Sequence, residues 1–460
     1  MNTDILSFAS KLENTEIVEV VQENNYVVAN DKVLPPFLRI KLVSRPTEKS
    51  YIRYELWLPD AWNGIFLGTG NGGMAGVLHY EKLEHGVWRK CATAHTDMGT
   101  SDGEQRGALC HEVHEDFGWR ATYIMTVNCK YLTEQYYGQK INKAYFIGGS
   151  TGGQQALTMA WRFPEQYDGI IAGVPVTNRT HLHAYFLWSY NNLHDVDGKP
   201  LFAREDIASI TQKAIEYCHK VNKIPSDENF ISDSHVSGDF VNGFIRYLSD
   251  SDLVLTEAQL KALEAVYKGP VDSKTGEQIY CGMPLGSESN RHGMVDLLGS
   301  KCPFFFIFTW AFGTEYKESN FDICCDIEPL DAALAGDLNV TDPDLSRFFN
   351  RGGKLFMYAA SADPCVPYPP TLKYFNRIVE TCGKQAVQDN MRFFIIPGQD
   401  HRATVVRYGA ATMNGDIVVK NNLDIIRNWC EKGIAPDSFD VLTPNGEQDT
   451  YISKRIFSVE

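Results

Sequence analysis

The sequence predicts an α/β protein with a mostly parallel sheet that is flanked by helices and interrupted by one large insertion. Short apolar or β-branched runs alternate with helix-like segments through residues 51–178, and the alternation returns from residue 352. Between them the chain gives helical pieces and loops. These observations indicate one core in two sequence pieces, residues 1–180 and 346–460, with an inserted lid domain at residues 181–345.

The first piece of the core shows strand and helix patterns in turn. Residues 51–70 predict two strands because Pro59, Asn63 and Gly64 separate two apolar runs. Apolar and aromatic residues at helical spacing then predict a helix over residues 113–137. The other predicted elements are a strand in CATAHTDMG (91–99), a strand in KAYFIGG (143–149), a helix in TGGQQALTMAWRF (151–163) and a strand in DGIIAGVP (168–175).

The insertion and the second piece of the core follow different patterns. Helices are predicted in REDIASITQKAIEYCHKV and LTEAQLKALEAVYKG, and the aromatic run CPFFFIFTWAF either fills the interior of the lid or lines a substrate pocket. The predicted core elements are a strand in GGKLFMYAASADPCVP (352–367), a helix near 369–382, a strand in MRFFIIPGQDH (391–401) and a helix in LDIIRNWCEKG (423–433).

Composition and charge exclude several classes of partner. The 460 residues carry a formal net charge of −15, which repels a phosphate backbone, and no basic run with interleaved aromatics offsets it. Nucleic-acid binding is therefore not expected. No segment of about eighteen apolar residues predicts a membrane span, and the N-terminus lacks the pattern of a signal peptide. We therefore expect a soluble, cytoplasmic or otherwise intracellular protein, whereas the oligomeric state is left open.

The cysteines do not suggest a disulfide framework or a metal site. Eleven cysteines are scattered along the chain, with Cys324 and Cys325 adjacent, which favours reduced thiols. Cys365 is interpreted as a packed thiol because no activating motif surrounds it. No C-x-x-C or H-E-x-x-H spacing is present, so no metal and no cofactor are predicted.

Ser150 lies in a G-x-S-x-G sequence at the predicted junction of a strand and a helix. Such a turn presents the serine Oγ to a base and to amide donors, which is the geometry of a nucleophile in α/β-hydrolases. The motif alone is weak, and a glycine-rich turn with an idle serine is the alternative. Gly148, Ser150 and Gly152 lie at the predicted end of a strand and the start of a helix, and this position favours the interpretation of Ser150 as a nucleophile.

Two C-terminal loops supply the other members of a triad. A serine hydroxyl needs a histidine base that a carboxylate holds in the correct tautomer, and in α/β-hydrolases the order along the chain is Ser, Asp or Glu, His. YAASADPCVP contributes Asp363, and FFIIPGQDHRA contributes His401. Asp400 is a rival partner for the imidazole, but consecutive side chains diverge, so Asp363 is preferred. A turn-capping carboxylate and a surface histidine are the structural alternatives.

Backbone amides near two glycine-rich segments are the candidates for an oxyanion hole. One donor is expected from Thr151, directly after the nucleophile, and the other from Gly72 or Gly73 in GTGNGGMAG. His181 and His183 begin the insertion near the expected mouth of the site. They either contact substrate or are ordinary surface or hinge histidines.

With these residues in place, the chain resembles the tannase and feruloyl esterase family, which includes an enzyme that hydrolyses the monoester of terephthalate and ethylene glycol. The resemblance covers roughly residues 45–440. Its motifs are LPDAWNGIFLGTGNGGMAG, AYFIGGSTGGQQALTMAWRFPEQYDGIIAGVPVTN, LTEAQLKALEAVYKGP with GSES downstream, RGGKLFMYAASADPCVP, FFIIPGQDH and WCEKGIAPD. It implies an α/β-hydrolase core, a lid that closes over the acyl group, usually a phenolic acid, and a triad of Ser150, Asp363 and His401.

Three departures from the family pattern bear on the expectations. The family usually joins its catalytic loops by a disulfide whose positions hold Gly149 and Arg402 here, so packing or hydrogen bonds must hold the histidine loop. The family's calcium loop corresponds to YCHKVNKIPSDENFISD, which lacks a D-x-D-G pattern, so the calcium site is expected to be lost. Third, the secreted members of the family have a signal peptide, and the N-terminus of this sequence does not show that pattern.

The predicted function is a serine hydrolase that cleaves carboxylic esters, with a phenolic or other aromatic acid as the expected acyl group, through a Ser-His-Asp triad and an acyl-enzyme. The expected partner is a small-molecule ester. Two alternatives stay open: a lactonase, acyltransferase or carbon-carbon bond hydrolase in secondary metabolism, and a hydrolase-like protein that binds a small ligand without turnover. The substrate itself is not predicted.

Overall fold

A nine-stranded sheet forms the centre of the protein. The computed structural model describes residues 2–28, 31–101, 103–226, 228, 230–401, 415–444 and 451–459. Its strands run in the order β1-β4-β5-β7-β6-β8-β9-β10-β11, and neighbouring strands from β7 to β11 are parallel. They are β1 (Thr15–Glu23), β4 (Phe37–Ser44), β5 (Ile52–Pro59), β6 (Ile65–Thr69), β7 (Ala92–Thr96), β8 (Lys143–Gly149), β9 (Gly169–Gly173), β10 (Lys354–Ala360) and β11 (Met391–Ile396).

Two small hairpins lie outside this sheet. The first pairs β2 (Val27–Val28) with β3 (Lys32–Val33), and the second pairs β12 (Ser438–Pro444) with β13 (Tyr451–Phe457). At one end of the large sheet β1, β4 and β5 pair in an antiparallel manner. The edge strand β1 alternates exposed and half-buried positions because only one of its faces packs on the protein.

Helices cover both faces of the sheet and form the chain between β9 and β10. The helix predicted over residues 113–137 is present, with a π turn at Asp116–Arg120 joining its two parts. The helices in the core pieces are α1 (Asn2–Ala9), α2 (Tyr80–Trp88), α3 (His111–Glu115), α4 (Ala121–Tyr137), α5 (Thr151–Arg162), α14 (Tyr368–Cys382), α15 (Lys384–Asn390) and α16 (Gly415–Lys432). Those between β9 and β10 are α6 (Arg179–Asn192), α7 (Arg204–Lys220), α8 (Gly238–Ser249), α9 (Glu257–Lys268), α10 (Met294–Leu297), α11 (Phe306–Phe312), α12 (Ile323–Leu338) and α13 (Ser346–Asn350).

The parallel strands are apolar on both faces, and successive side chains enter two different cores. In β8, Phe146 packs into the core formed with α4 and α5, whereas Tyr145 and Ile147 pack into the core that includes Trp429 of α16. Each such aromatic contributes about 2 kcal/mol through burial. The β-branched and aromatic runs therefore determine a central, doubly covered strand, which places its C-terminal end at a fixed position.

The observed order of elements confirms the predicted α/β-hydrolase fold class. The predicted strands and helices of both core pieces are present, and the chain between β9 and β10 is helical. Strands β1 and β4, whose antiparallel pairing widens the sheet, were not predicted from the sequence. None of the helices in the described ranges combines the length and the apolar character that crossing a bilayer requires.

Candidate active site

Ser150 occupies the sharp turn between β8 and α5. Its backbone has φ 60° and ψ −121°, a conformation that a non-glycine residue rarely adopts. The turn is fixed on both sides, because the Ser150 amide donates to the Gly173 carbonyl at 3.0 Å and the Gly152 amide donates to Asn71 O at 2.8 Å. The strained backbone directs the serine side chain into a cavity at the C-terminal end of the sheet.

The glycines on either side of this turn permit a close approach of backbone segments. A Cβ placed on Gly148 would lie 2.1 Å from the Gly152 oxygen, and one placed on Gly152 would lie 2.9 Å from the Asn71 oxygen. Both distances are too short for non-bonded atoms. The G-x-S-x-G spacing is therefore a steric requirement of this turn.

Asp363 and His401 come together from the loops that follow β10 and β11. The His401 Nδ1 donates to Asp363 Oδ2 at 2.8 Å, and this carboxylate is fully buried. The other carboxylate oxygen, Oδ1, accepts the backbone amides of Cys365 and Val366 at 2.8 and 2.9 Å. These bonds orient the carboxylate, which in turn holds the imidazole with Nε2 as the available base.

Hydrogen bonds between these two loops align them. The Ser361 amide donates to Ile396 O at 2.9 Å, the Ala362 amide donates to Gln399 O at 3.0 Å, and the Gly398 amide donates to Ser361 Oγ at 2.8 Å. All eleven cysteines are free thiols. Gly149 stands at one of the family's disulfide positions, and Arg402, at the other, lies outside the described residues. Among the described residues the two loops are thus connected by two main-chain hydrogen bonds and one to the Ser361 hydroxyl.

The electrostatic environment of His401 favours its protonated form. Burial opposes the charge, but the Asp363 carboxylate outweighs burial, so the pKa of His401 is raised well above its ordinary value. The Cys365 thiol is buried, and burial raises its pKa, so it stays protonated at neutral pH. This supports its interpretation as a packed thiol.

Ser150 and His401 line the same cavity, whose volume is about 390 Å³. In the described part of the chain the Ser150 Oγ has no hydrogen-bond partner, which leaves the hydroxyl able to rotate. Most of the lining is apolar or aromatic. The lining residues are Gly72, Gly73, Val77, His79, Ser150, Thr151, Val176, Arg179, Leu182, His183, Phe186, Arg291, His292, Phe304, Cys365, Val366 and His401.

The three oxyanion-hole candidates also line this cavity. Thr151 is the first residue of α5, so no carbonyl of the same helix accepts its amide hydrogen. The Gly72 amide donates to Asn71 Oδ1 at 3.2 Å, whereas the Gly73 amide has no acceptor among the described residues. Thr151 Oγ1 donates to Gly73 O at 2.6 Å and thereby joins the two segments. The geometry favours Thr151 and Gly73 as the available donors.

The two candidate histidines of the insertion occupy different environments. The ring of His183 is buried in the cavity lining, where Nδ1 donates to Phe304 O at 2.8 Å. Burial, together with the charge of Arg179, lowers the pKa of His183 to about 3. The His181 ring is not among the cavity-lining groups. Its Nε2 lies 2.8 Å from Asp331 Oδ2, so it forms a contact within the insertion.

Several cavity residues were not singled out from the sequence, including Arg179, Arg291, His292 and Phe304. Arg179 directly follows the strand-end segment VPVTN, Arg291 and His292 follow GSESN, and Phe304 belongs to the aromatic run. Proximity of Arg179 to the nucleophile helix along the chain is the only signal that could have pointed to it. The other three lie more than one hundred residues from Ser150, and only folding brings them to it.

Comparisons with known proteins agree with this architecture. The family model described as tannase and feruloyl esterase matches residues 39–300 and 315–457. A probable feruloyl esterase B-1 of Aspergillus oryzae is 28% identical over 441 residues, which cover 91% of this chain and 79% of that protein. An uncharacterized esterase of Xanthomonas campestris pv. campestris is 29% identical over 445 residues, covering 88% and 77%.

Solved structures show the same fold at lower identity. Feruloyl esterase B from Aspergillus oryzae superposes with a TM-score of 0.82 at 22% identity, covering 99% of this chain and 95% of that one. Tannin acyl hydrolase from Aspergillus niger superposes with a TM-score of 0.75 at 17% identity, covering 99% and 91%. The fold thus extends over nearly the whole length of both chains.

Proposed function

This chain belongs to the tannase and feruloyl esterase family and is a carboxylic ester hydrolase, and on that basis we propose that it works through a triad of Ser150, His401 and Asp363. The observation that carries the proposal is the 2.8 Å bond from His401 to the buried Asp363, at the wall of the cavity into which the Ser150 turn projects. A nucleophile, an oriented base and amide donors then share one enclosed volume.

In the proposed acylation step Ser150 attacks the ester carbonyl carbon. His401 Nε2 takes the hydroxyl proton, and the carbonyl oxygen becomes an oxyanion that accepts hydrogen bonds from the amides of Thr151 and Gly73, with Gly72 the alternative donor. The intermediate collapses when the bond to the alcohol oxygen breaks and His401 returns the proton to that oxygen. The acyl group then remains on Ser150 as an ester.

Deacylation reverses the roles with water as the nucleophile. His401 removes a proton from water, the hydroxide oxygen attacks the acyl carbon, and the bond to Ser150 Oγ breaks as Oγ regains a proton. Asp363 stabilises the imidazolium in both steps and keeps Nδ1 protonated. These steps use protein groups alone, so the proposal includes no metal and no cofactor.

We further propose that the acid released is aromatic. The cavity presents the aromatic side chains of Phe186 and Phe304 together with Val176, Leu182 and Val366, and a flat acyl group would pack on them. The relatives named as feruloyl esterases and tannin acyl hydrolase are consistent with an aromatic acyl group. His183 would contact the substrate as part of this wall, whereas His181 would position α6 through Asp331.

The test of the triad is hydrolysis of methyl cinnamate by matched variants. We expect Ser150→Ala to lower kcat by at least about 10⁴-fold, and Asp363→Asn to lower it by about the same order because the wrong imidazole tautomer is favoured. Asp400→Asn removes the adjacent carboxylate and serves as the control, which should retain most of the wild-type rate. Circular dichroism establishes that each variant is folded.

Near-normal turnover by Ser150→Ala, or equal losses in Asp363→Asn and Asp400→Asn, would contradict the proposed triad. Mass spectrometry after a short incubation should detect the acyl group on Ser150 in the wild-type chain. Product analysis with methanol-d4 in the buffer separates hydrolysis from acyl transfer, since a transferase would form the deuterated methyl ester even in dilute acceptor.

A further inference from the structure

Arg179 places a buried cation beside the nucleophile turn. It is the first residue of α6, its exposed fraction is 2%, and it lines the same cavity as Ser150. Its Nε donates to Gln154 Oε1 at 2.6 Å and its Nη2 donates to Thr151 Oγ1 at 2.9 Å. Its Nη1 lies 3.4 Å from His183 Nε2, which accepts because Nδ1 of that ring is the donor to Phe304 O.

The partners of this guanidinium are neutral. An amide oxygen, a hydroxyl and an imidazole receive its hydrogen bonds, and in the described part of the chain Arg179 forms no ion pair with an aspartate or glutamate. Burial accordingly lowers the pKa of Arg179 to about 9, which still leaves it charged at neutral pH. A buried charge without a counter-ion costs free energy unless a ligand supplies one.

Two other well-covered arginines of this protein have carboxylate partners. Arg120 binds Asp116 at 2.6 Å and Glu115 at 2.8 Å, and Arg39 binds Glu55 at 2.8 Å. Arg179 differs from these two arginines because it has no carboxylate partner among the described residues. It does so at the cavity where a substrate would bind.

Some N–H groups of the Arg179 guanidinium have no acceptor among the described residues. Arginine carries five N–H groups, and the three contacts of Arg179 use one on Nε, one on Nη1 and one on Nη2. Within the described ranges, one N–H on each Nη therefore lacks an acceptor. Two adjacent donors in a planar fork match the two oxygens of a carboxylate, and such bidentate pairs are among the stronger hydrogen bonds in proteins.

The lining of the cavity as a whole is also positively charged. No aspartate or glutamate is among its described lining residues, although the chain as a whole carries a formal charge of −15. The exposed Arg291 adds a second cation at the lining. Burial lowers the pKa of His292 to about 4, so this ring is neutral at neutral pH, and the positive charge of the lining comes from the two arginines and from His401 when it is protonated.

We propose that Arg179 binds a carboxylate on the substrate, so that the enzyme cleaves esters that carry a second, free carboxylate group. This inference rests on the proposed function, because it assigns a substrate class to the same cavity. Three observations favour a carboxylate as the ligand. The hydrogen-bond partners of Arg179 are neutral, N–H groups on both of its Nη atoms are unused, and the described lining of the cavity contains no acidic group. Arg179 is thus assigned as a determinant of specificity.

Binding to the Ser150→Ala variant tests this inference without turnover. The probes are methyl cinnamates with a carboxylate at ring position 3 or 4, each compared with the carboxamide of the same shape. We expect calorimetry to give at least about tenfold tighter binding for the better carboxylate than for its carboxamide, because a charge-assisted bidentate pair forms. In Ser150→Ala with Arg179→Gln, this ratio should fall to about one.

Two further variants exclude general effects of charge or stability. Arg246→Gln removes an exposed arginine of α8 that is not in the cavity lining, and it should leave the carboxylate-to-carboxamide ratio unchanged. Arg179→Lys keeps the charge without the fork and should give an intermediate ratio. If Arg179→Gln does not fold, the lysine variant and the ratio measured with intact Arg179 still decide the question.

Equal binding of carboxylate and carboxamide at both ring positions would overturn the inference, as would a preference that survives Arg179→Gln. If Arg179 had a purely structural role, Arg179→Gln would weaken the binding of carboxylate and carboxamide alike and leave the ratio of their affinities unchanged. That result would also contradict the inference. Turnover separates the two proposals. Ser150-dependent hydrolysis of the carboxamide ester without any carboxylate preference removes this inference alone, whereas an Arg179-dependent preference without hydrolysis of any ester removes the proposed function alone.

Discussion

His401 is subject to two opposing effects that together determine its proposed role. Burial disfavours the imidazolium, while the Asp363 carboxylate at 2.8 Å stabilises it and prevails. A base with a raised pKa accepts the serine proton readily once it is neutral, and its protonated form then returns the proton to the leaving group. The pair thus suits both halves of the proposed reaction.

The acid limb of the pH profile should report this raised pKa. His401 must be neutral to accept a proton, so kcat/KM should rise as pH increases through the pKa of His401, with a midpoint above the value of about 6.5 for an ordinary histidine. The measurement is kcat/KM for a neutral ester across the pH range in which the protein stays folded. A midpoint at or below the ordinary value would contradict the proposed coupling to Asp363.

At the scale of elements, the strand β8, the turn at Ser150 and the helix α5 act as one steric unit. Gly148 and Gly152 allow the turn to close, while the segment before β7 contributes Asn71 as a backbone acceptor. The strain at Ser150 is maintained because strands on both sides of β8 are paired and buried. Rigid elements therefore determine where the hydroxyl lies.

Two neighbouring glycines give a matched test of this steric unit. Gly148→Ala should lower the free energy of unfolding by about 1–3 kcal/mol, because its Cβ would lie 2.1 Å from Gly152 O. Gly149→Ala is the control, since the nearest atom to its Cβ would be 3.7 Å away, and it should be neutral or slightly stabilising. Thermal unfolding followed by fluorescence measures both, and similar midpoints for the two variants would refute the steric argument.

The loops after β10 and β11 show how the histidine can be positioned without a disulfide. Ser361 bonds to the β11 side through both its amide and its hydroxyl, and Ala362 adds a third bond to Gln399. Three hydrogen bonds between adjacent loops restrict their relative motion. The position of His401 then follows from the register of β10 against β11.

At the scale of the whole molecule, the cavity is assembled from distant parts of the chain. The core pieces contribute Ser150, Cys365 and His401, and the helical stretch between β9 and β10 contributes Arg179 and Phe304 among others. The division into residues 1–180, 181–345 and 346–460 stays a prediction. With these boundaries the middle segment contributes Phe186 and Phe304 to the cavity, whereas Ser150, Arg179 and His401 belong to the outer two.

Replacing each of two adjacent phenylalanines in turn should show which of them forms part of the substrate-binding wall. Phe304 lines the cavity and its ring lies 5.5 Å from Phe186 and 5.4 Å from His292, whereas Phe305 packs on Phe308 outside the lining. Phe304→Ala should lower kcat/KM for methyl cinnamate about tenfold, mainly through KM, because the aromatic wall is lost. Phe305→Ala should change KM little, and equal effects of the two substitutions would contradict the assignment of the wall.

Much of the fold was predictable because its signals are local. The apolar runs of β8 and β9 and the glycines around Ser150 are determined by strand periodicity and by steric limits within a few residues. The chain order of Ser150, Asp363 and His401 was equally visible, since each follows a recognisable strand. The edge strand β1 and its neighbour β4 were missed because β1 pairs with β4, and β4 with β1 and β5, through contacts that no short window contains.

The sequence by itself determined the alternation of strands and helices, the strained serine turn and the identity of the candidate acid and base, because each of these depends on residues that are close along the chain. Only the tertiary structure decided that Arg179 has no carboxylate partner among the described residues, that His183 lines the cavity and His181 does not, and that Phe304 lines the same cavity as Ser150. The physical reason is that burial and charge pairing are properties of the surroundings in space, which packing creates between segments more than one hundred residues apart.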